Sequence, residues 1–174
     1  MKKTVFIFGL IIGTILCANM IVLTQMMYTN PDSKSNDLIG YAAMVVLFSL
    51  IFFGVRNYRN KILNGCITFG KAFNTGALIA LVGSTMYVVV WLFYYYLFVP
   101  DFMDVYTNYV LENAAEADLQ AKTEEMVKFK DMYKNPLFVI LITYSEVLPV
   151  GLLVALMSAL ILKKKAETPS SLQA

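Results

Sequence analysis

The feature that most constrains this chain is the separation of its apolar residues from its charged residues. The excess of hydrophobic residues, 59% of the chain, sits in four long runs at 4–27, 38–55, 72–99 and 137–162. The charged residues, only 15%, lie almost entirely between these runs. A bilayer offers no water to a charge, and a helix needs about 20 apolar residues to cross it. The pattern therefore predicts an all-α integral membrane bundle of four transmembrane helices.

The basic residues predict the orientation of these helices. Nine of the 14 Lys and Arg residues lie at the two ends of the chain and between the second and third runs. The other five are spread over the two remaining connections, where acidic residues surround them. Because Lys and Arg concentrate on the cytoplasmic side of membrane proteins, we expect both termini and the segment 56–71 in the cytoplasm.

The segment 101–135, between the third and fourth runs, has the periodicity of helices. Aromatic residues recur at helical spacing in both of its halves, at Phe102, Tyr106, Tyr109, Phe129 and Tyr133. Between the halves, residues 113–117 include no apolar residue larger than alanine. This predicts two amphipathic extracytoplasmic helices with a break between them. These helices either stand on the membrane as a hairpin or lie along its surface. They serve either as a solvated linker between two spans or as a binding surface.

Other residues predict where helices begin and end. Asp101 follows a proline and is placed to cap the helix after it. The Asn-Pro-Asp sequence at 30–32 predicts a turn between the first two runs. The polar tail 166–174 is expected to be disordered. Residues 1–174 are expected to form a single membrane domain.

The composition argues against several classes of function. The chain has no histidine, which is the commonest general base and metal ligand. It has two cysteines, Cys17 and Cys66, which are too few for a metal site. Catalytic and phosphate-binding motifs are missing, and the basic residues are too dispersed for a nucleic-acid surface. We therefore expect no enzyme activity, cofactor, metal or nucleic acid.

Glu146 is the one charged residue within the four apolar runs. An intramembrane carboxylate is a candidate functional group, and the alternative is a hydrogen bond that holds helices together. Asn19 and Tyr87 are placed at a similar depth, but no cation is. We therefore expect Glu146 to be protonated and hydrogen-bonded to a neighbouring helix. Pro149 lacks an N–H and would complete a small polar pocket there.

Small residues recur every four positions in three of the runs, at Gly9, Gly13 and Cys17, at Gly76 and Ala80, and at Gly151, Ala155 and Ala159. This spacing lets helix backbones approach closely. Packing within the bundle is favoured over an interface with a membrane-protein partner or a second copy.

Four basic residues of the segment 56–71 are candidates for binding anionic lipid headgroups: Arg56, Arg59, Lys61 and Lys71. Aromatic residues lie beside them, and basic segments next to a membrane attract anionic lipids. Setting the topology is the favoured alternative for the same charges.

Several stretches of this sequence resemble a bacterial membrane family of unknown function, domain-of-unknown-function family number four-one-nine-nine. The stretches are FFGVRNYRNKILNGCITFGKAFNTG (52–76), FKDMYKNPLF (129–138) and SEVLPVGLLVALMSALILKKK (145–165). The resemblance covers nearly the whole chain. It implies a four-helix protein of a bacterial inner membrane with a long extracytoplasmic loop, and it implies no activity or ligand.

Taken together, the sequence predicts an uncharacterised multi-pass membrane protein. A non-enzymatic accessory or assembly role is favoured, because the connections are too short for a catalytic domain. The alternative is a small transporter or channel component that uses Glu146.

Overall fold

The computed structural model describes residues 1–29 and 37–164. Seven α-helices contain most of these residues: α1 (Lys2–Thr29), α2 (Asp37–Phe48), α3 (Leu50–Ile62), α4 (Phe69–Leu97), α5 (Phe102–Glu112), α6 (Leu119–Tyr133) and α7 (Pro136–Leu162). A short 3-10 helix, Glu116–Asp118, precedes α6, and no β-strand forms in the described residues. The all-α prediction is confirmed. The predicted turn at 30–32 and the tail 166–174 lie outside the described residues.

Four stretches of the described chain are long and apolar enough to cross a membrane: α1, α4, α7 and Gly40–Ile62, which includes most of α2 and all of α3. The shortest has 23 residues, and at about 1.5 Å per residue it exceeds the ~30 Å of a hydrocarbon core. Large apolar side chains such as Phe6, Val46 and Leu153 are exposed on these helices. The chain is therefore an all-α membrane bundle with four apolar spans, as predicted.

The second span is longer than its predicted range of 38–55. Helix α3 continues to Ile62, so that three of the four basic residues of the segment 56–71 lie on its last turns, and the fourth lies in the first turn of α4. The helix is longer than the apolar run, because Arg and Lys are good helix formers and can extend a helix beyond its apolar part.

Ser49 interrupts the same span between α2 and α3. Its N–H donates to the carbonyl oxygens of both Val45 and Val46, at 3.0 and 3.2 Å. Its hydroxyl also donates to the Val46 oxygen, at 2.6 Å. A serine that bonds to the preceding turn in this way competes with the regular helix pattern. The break therefore has a local cause that hydropathy does not report.

Helix α5 begins without the cap predicted at Asp101. The Asp101 side chain makes no capping hydrogen bond, and its Oδ1 instead accepts one of 2.9 Å from the Tyr28 hydroxyl of α1. Helix α7 begins in the usual way, since the Asn135 side chain accepts from the Leu137 N–H at 3.0 Å. Asp101 thus joins α1 to the start of α5.

Helix α4 is the centre of the bundle, and α7 and α1 are its main packing partners. The recurrent small residues make these contacts close. A Cβ built on Gly76 would lie 2.9 Å from the Ala155 Cβ, and one built on Gly9 would lie 2.6 Å from the Val82 Cβ. The small-residue spacing therefore serves packing within the bundle, which is the alternative favoured from the sequence.

Helices α5 and α6 lie together at one end of the bundle, which we call the hairpin end. They pack against each other, and Lys130 of α6 forms an ion pair with Asp104 of α5. The predicted pair of helices is confirmed, with its break between Glu112 and Leu119. Their apolar faces do not stand clear of the bundle, because Met103 and Tyr133 are buried in a cluster with residues of α1, α4 and α7.

The other end of the bundle, which we call the opposite end, is closed by backbone hydrogen bonds. The Ile67 N–H donates to the Lys164 carbonyl oxygen at 3.0 Å, and the Lys164 N–H donates back at 2.9 Å. This bridge holds the residues that follow α7 against the connection before α4.

Candidate functional site

A half-open cleft of about 200 Å³ lies at the hairpin end of the bundle. It is lined by Met20, Leu23 and Thr24 of α1, Tyr87 and Trp91 of α4, Phe102 and Tyr106 of α5, Tyr133 of α6, and Thr143 and Glu146 of α7. Half of these side chains are aromatic, and Glu146 is the one formally charged residue among them. Five helices that are far apart in the sequence therefore contribute to one space.

Helical spacing explains how each element presents its residues to the cleft. Tyr87 and Trp91 are one turn apart on α4, and Thr143 and Glu146 are one turn apart on α7. Residues three or four apart lie on the same face of a helix. Because α4 packs on α7, these two faces meet, and the start of α5 follows directly from the end of α4.

The aromatic side chains that line the cleft pack on one another in two arrangements, edge-to-face and stacked. The Phe102 ring contacts Trp91 edge-on, with centroids 4.8 Å apart and planes at 81°. Tyr106 is stacked on Phe102, with centroids 5.7 Å apart and planes at 10°. Edge-to-face and offset stacked pairs are the favoured arrangements of aromatic rings. Trp91 and Tyr133 are buried, so that these walls have little freedom to move.

Glu146 is placed differently from the prediction. The sequence led us to expect a hydrogen bond to a neighbouring helix, but within the described residues the Glu146 carboxylate makes none. The side chain is exposed and borders the cleft, whose lining also includes Tyr87 and Tyr133. Since the helices already pack without a bond from it, Glu146 is available to a molecule in the cleft.

Tyr133 is the residue of α6 that lines the cleft with Glu146. Burial raises the pKa of its phenol, and the Glu146 carboxylate raises that pKa further. The phenol also contacts the Trp91 indole and the Thr143 hydroxyl. Tyr133 is therefore a neutral phenol at ordinary pH that holds α6 over the cleft.

The cleft does not continue towards the opposite end. Ser84, one turn before Tyr87 on α4, is fully buried and its hydroxyl has no partner among the described residues. Beyond it, α4 and α7 are in close contact, because a Cβ built on Gly151 would lie 2.8 Å from the Ala80 Cβ. The space around Glu146 is thus closed on that side.

The candidate residues predicted near Glu146 separate into two groups. Tyr87 lines the cleft together with Glu146. Asn19 is half-buried and Pro149 is exposed, and neither lines the cleft. Helix α7 runs through Pro149 without ending. Depth along a span was a good guide, but it does not say which side of a helix a residue occupies.

The contributions of α5 and α6 were missed as part of a site. Phe102, Tyr106 and Tyr133 were recognised as the apolar faces of two amphipathic helices, with a solvated linker and a binding surface left open, but they were not connected with Glu146. Their helical spacing was the available signal. It shows that such a face must be covered, but the sequence does not say whether lipid or the bundle covers it.

The basic residues proposed for lipid headgroups also separate. Arg59 donates from Nη1 to the Leu162 carbonyl oxygen at 3.2 Å and from Nε to Asn60 at 2.9 Å, so it caps the end of α7. Three others remain exposed at the opposite end: Arg56, Lys61 and Lys71. Within the described residues, no group of three or more His, Cys, Asp or Glu side chains is arranged to hold a metal ion.

Comparison with curated proteins gave no match, and comparison with solved structures gave none either. Comparison with protein families gave a match over residues 7–164, which include most of the first span, the other three spans and both helices at the hairpin end. The family resemblance stated from the sequence is therefore confirmed. The chain belongs to the family described as Protein of unknown function (DUF4199).

Proposed function

We propose that this protein binds a small solute in the cleft around Glu146, as a non-enzymatic membrane protein of a receptor or transporter type. The observation that carries this proposal is an aromatic cleft with one carboxylate that the packing of the bundle does not use. Membrane proteins place ionisable groups within their spans chiefly where a substrate, an ion or a proton needs them.

The dimensions of the cleft support a small ligand. Its volume of about 200 Å³ has room for roughly six or seven waters at ~30 Å³ each. Sites for drug-sized ligands are larger, at about 300–1,000 Å³. The close contact of α4 and α7 beyond Ser84 supports a binding site entered from the hairpin end rather than an open pore.

The accessory or assembly role favoured from the sequence remains a second proposal. The small residues that were candidates for a partner interface pack between α1, α4 and α7. A partner would therefore have to bind elsewhere, and the outward faces of α5 and α6 are the available surface. The cleft gives the solute-binding role a specific site, which the accessory role lacks.

We further propose the setting of the protein. The distribution of basic residues supports an orientation with both termini in the cytoplasm and the cleft on the extracytoplasmic side. The resemblance stated from the sequence implies a bacterial inner membrane. Arg56, Lys61 and Lys71 are then on the cytoplasmic face, where they are placed to contact anionic headgroups.

Trp91 provides the test of the solute-binding role, because it is the only tryptophan of the chain and it lines the cleft. We expect acrylamide, a water-soluble quencher, to quench Trp91 fluorescence in protein reconstituted into lipid nanodiscs. Thr24→Phe should reduce this quenching, because the larger side chain fills the cleft. Thr123→Phe, at an exposed position of α6, is the matched control and should leave quenching unchanged.

The opposite result is equally clear. If brominated lipids quench Trp91 while acrylamide does not, lipid chains fill the cleft and the solute-binding proposal is rejected. If Thr123→Phe has the same effect as Thr24→Phe, the cleft is not the route to Trp91.

A further inference from the structure

We infer that the ligand of this cleft is a small organic cation, with an alkylated or quaternary ammonium group held between the aromatic rings and the Glu146 carboxylate. This inference rests on the proposed solute-binding function and adds the chemical class of the ligand. It depends on three properties of the cleft: its charge, its aromatic walls and its size.

The charge of the cleft indicates the sign of the charge that the ligand carries. Glu146 is the one formally charged lining residue, and the lining includes no Lys or Arg that could neutralise it. An anion would gain no charge partner from Glu146 in either protonation state, whereas a cation favours the ionised form. A neutral apolar molecule would have to remove water from the carboxylate without replacing it, which is unfavourable. A cation compensates the carboxylate when it displaces that water.

The aromatic walls select an organic cation. The faces of Trp, Tyr and Phe rings attract a cation within about 6 Å of the ring centroid, and Trp is the strongest of the three. Trp91, Phe102 and Tyr106 all line the cleft, and they pack on one another with planes at 81° and 10°. Aromatic side chains that line a binding site are a known means of binding quaternary ammonium groups.

A metal cation fits the same cleft poorly. Ca²⁺ needs six to eight oxygen ligands and Mg²⁺ a regular octahedron. The lining offers one carboxylate, and its other side-chain oxygens are phenol and threonine hydroxyls, which are not among the usual ligands of these ions. A partly apolar, weakly hydrated ammonium group needs no such oxygen cage and is favoured.

The size of the cleft limits the ligand, or the part of a larger ligand that enters, to about the size of choline. A space of about 200 Å³ is below the ~300 Å³ of drug-sized sites. The same ammonium chemistry occurs in free choline-like solutes and in choline headgroups of lipids. Because the cleft is half-open, either source is compatible with its shape.

The test uses the full-length protein in nanodiscs of phosphatidylglycerol, which has no amine headgroup. Choline is titrated while the fluorescence of Trp91 is recorded, and calorimetry gives an independent Kd. The matched ligand is the neutral isostere of choline, in which carbon replaces the quaternary nitrogen. We expect saturable choline binding, with the isostere at least about tenfold weaker, as a combined cation–π and charge contribution requires.

Two variants locate the binding. Glu146→Gln should weaken choline by at least about tenfold, as loss of a desolvated charge partner implies, with little effect on the isostere. Glu112→Gln changes an exposed acid of α5 that is outside the cleft, and it should change neither affinity. If Glu146→Gln fails to fold, the comparison of choline with its isostere on the wild-type protein decides alone.

Nanodiscs that contain phosphatidylcholine distinguish the two sources. A headgroup that enters the cleft would compete and lower the apparent affinity for choline, whereas unchanged affinity assigns the site to a free solute. Equal binding of choline and its isostere would overturn the cation assignment while leaving the solute-binding function standing. Absence of choline binding, with Trp91 still open to acrylamide, would also overturn it. Inaccessible Trp91 would overturn both.

Discussion

The Tyr144 hydroxyl of α7 donates a hydrogen bond of 2.8 Å to the Thr85 hydroxyl of α4. Tyr144 is two residues from Glu146, and Thr85 is two residues from Tyr87. This bond therefore joins the two helices at the level of Glu146 and Tyr87 along their axes, although residues two apart lie on different sides of a helix. Thr85 also donates to the Leu81 carbonyl oxygen of its own helix at 2.7 Å, which orients its hydroxyl to accept from Tyr144.

Tyr144→Phe should lower the stability of the bundle by about 0.5–1.5 kcal/mol, which is the range of hydrogen bonds between transmembrane helices. The free energy of unfolding is measured in mixed detergents for Tyr144→Phe, for Thr85→Val and for the variant that carries both substitutions. The two single effects should not add, because each removes the same bond. Additive effects would mean that the bond contributes nothing in the membrane.

Gly151→Ala should destabilise the bundle by about 1–3 kcal/mol, because the added Cβ overpacks the contact between α4 and α7. That Cβ would lie 2.8 Å from the Ala80 Cβ and 2.9 Å from the Phe48 Cε1. Gly40→Ala is the matched control, since a Cβ there meets nothing within 4 Å. Thermal unfolding should show a lower Tm for the first variant and an unchanged or slightly higher Tm for the control. Equal responses would contradict the close packing of these helices.

The proposed orientation predicts the accessibility of engineered cysteines. In a variant with Cys66→Ser, Asn113→Cys should react with a membrane-impermeant thiol reagent in intact cells, because it lies at the hairpin end. Lys61→Cys, exposed at the opposite end, should react only after the cells are permeabilised. The remaining cysteine, Cys17, is buried and serves as the background. The reversed pattern would place the cleft in the cytoplasm.

Cation binding should change the protonation of Glu146. An organic cation beside the carboxyl group favours its ionised form. Infrared difference spectra at neutral pH should therefore show a protonated-carboxyl band that decreases as choline is added and is missing in Glu146→Gln. A band that persists at saturating choline would contradict the charge pairing. If the wild type has no such band before choline is added, Glu146 is already ionised and its expected protonation is wrong.

Local sequence patterns were sufficient to predict the four spans and the two helices between the third and the fourth of them. Hydropathy is a local property, and a run of apolar residues such as 137–162 must cross the membrane as a helix whatever its neighbours are. The same holds for α5 and α6, whose apolar spacing and intervening break are visible without any knowledge of the bundle. Glu146 was identified for a related reason, because a charged residue within an apolar run is unusual wherever the helix packs.

Which helix faces meet depends on tertiary contacts. Asn19 and Tyr87 were equivalent candidates by depth, but only Tyr87 is on a face that borders the cleft with Glu146. Arg59 was one of four candidates for headgroup binding, and in the fold it caps the end of a helix 103 residues away in the sequence. The rotation and register of each helix are set by close contacts such as that between Gly76 and Ala155. These contacts join residues that no local pattern connects, and for that reason the cleft becomes visible only in the folded chain.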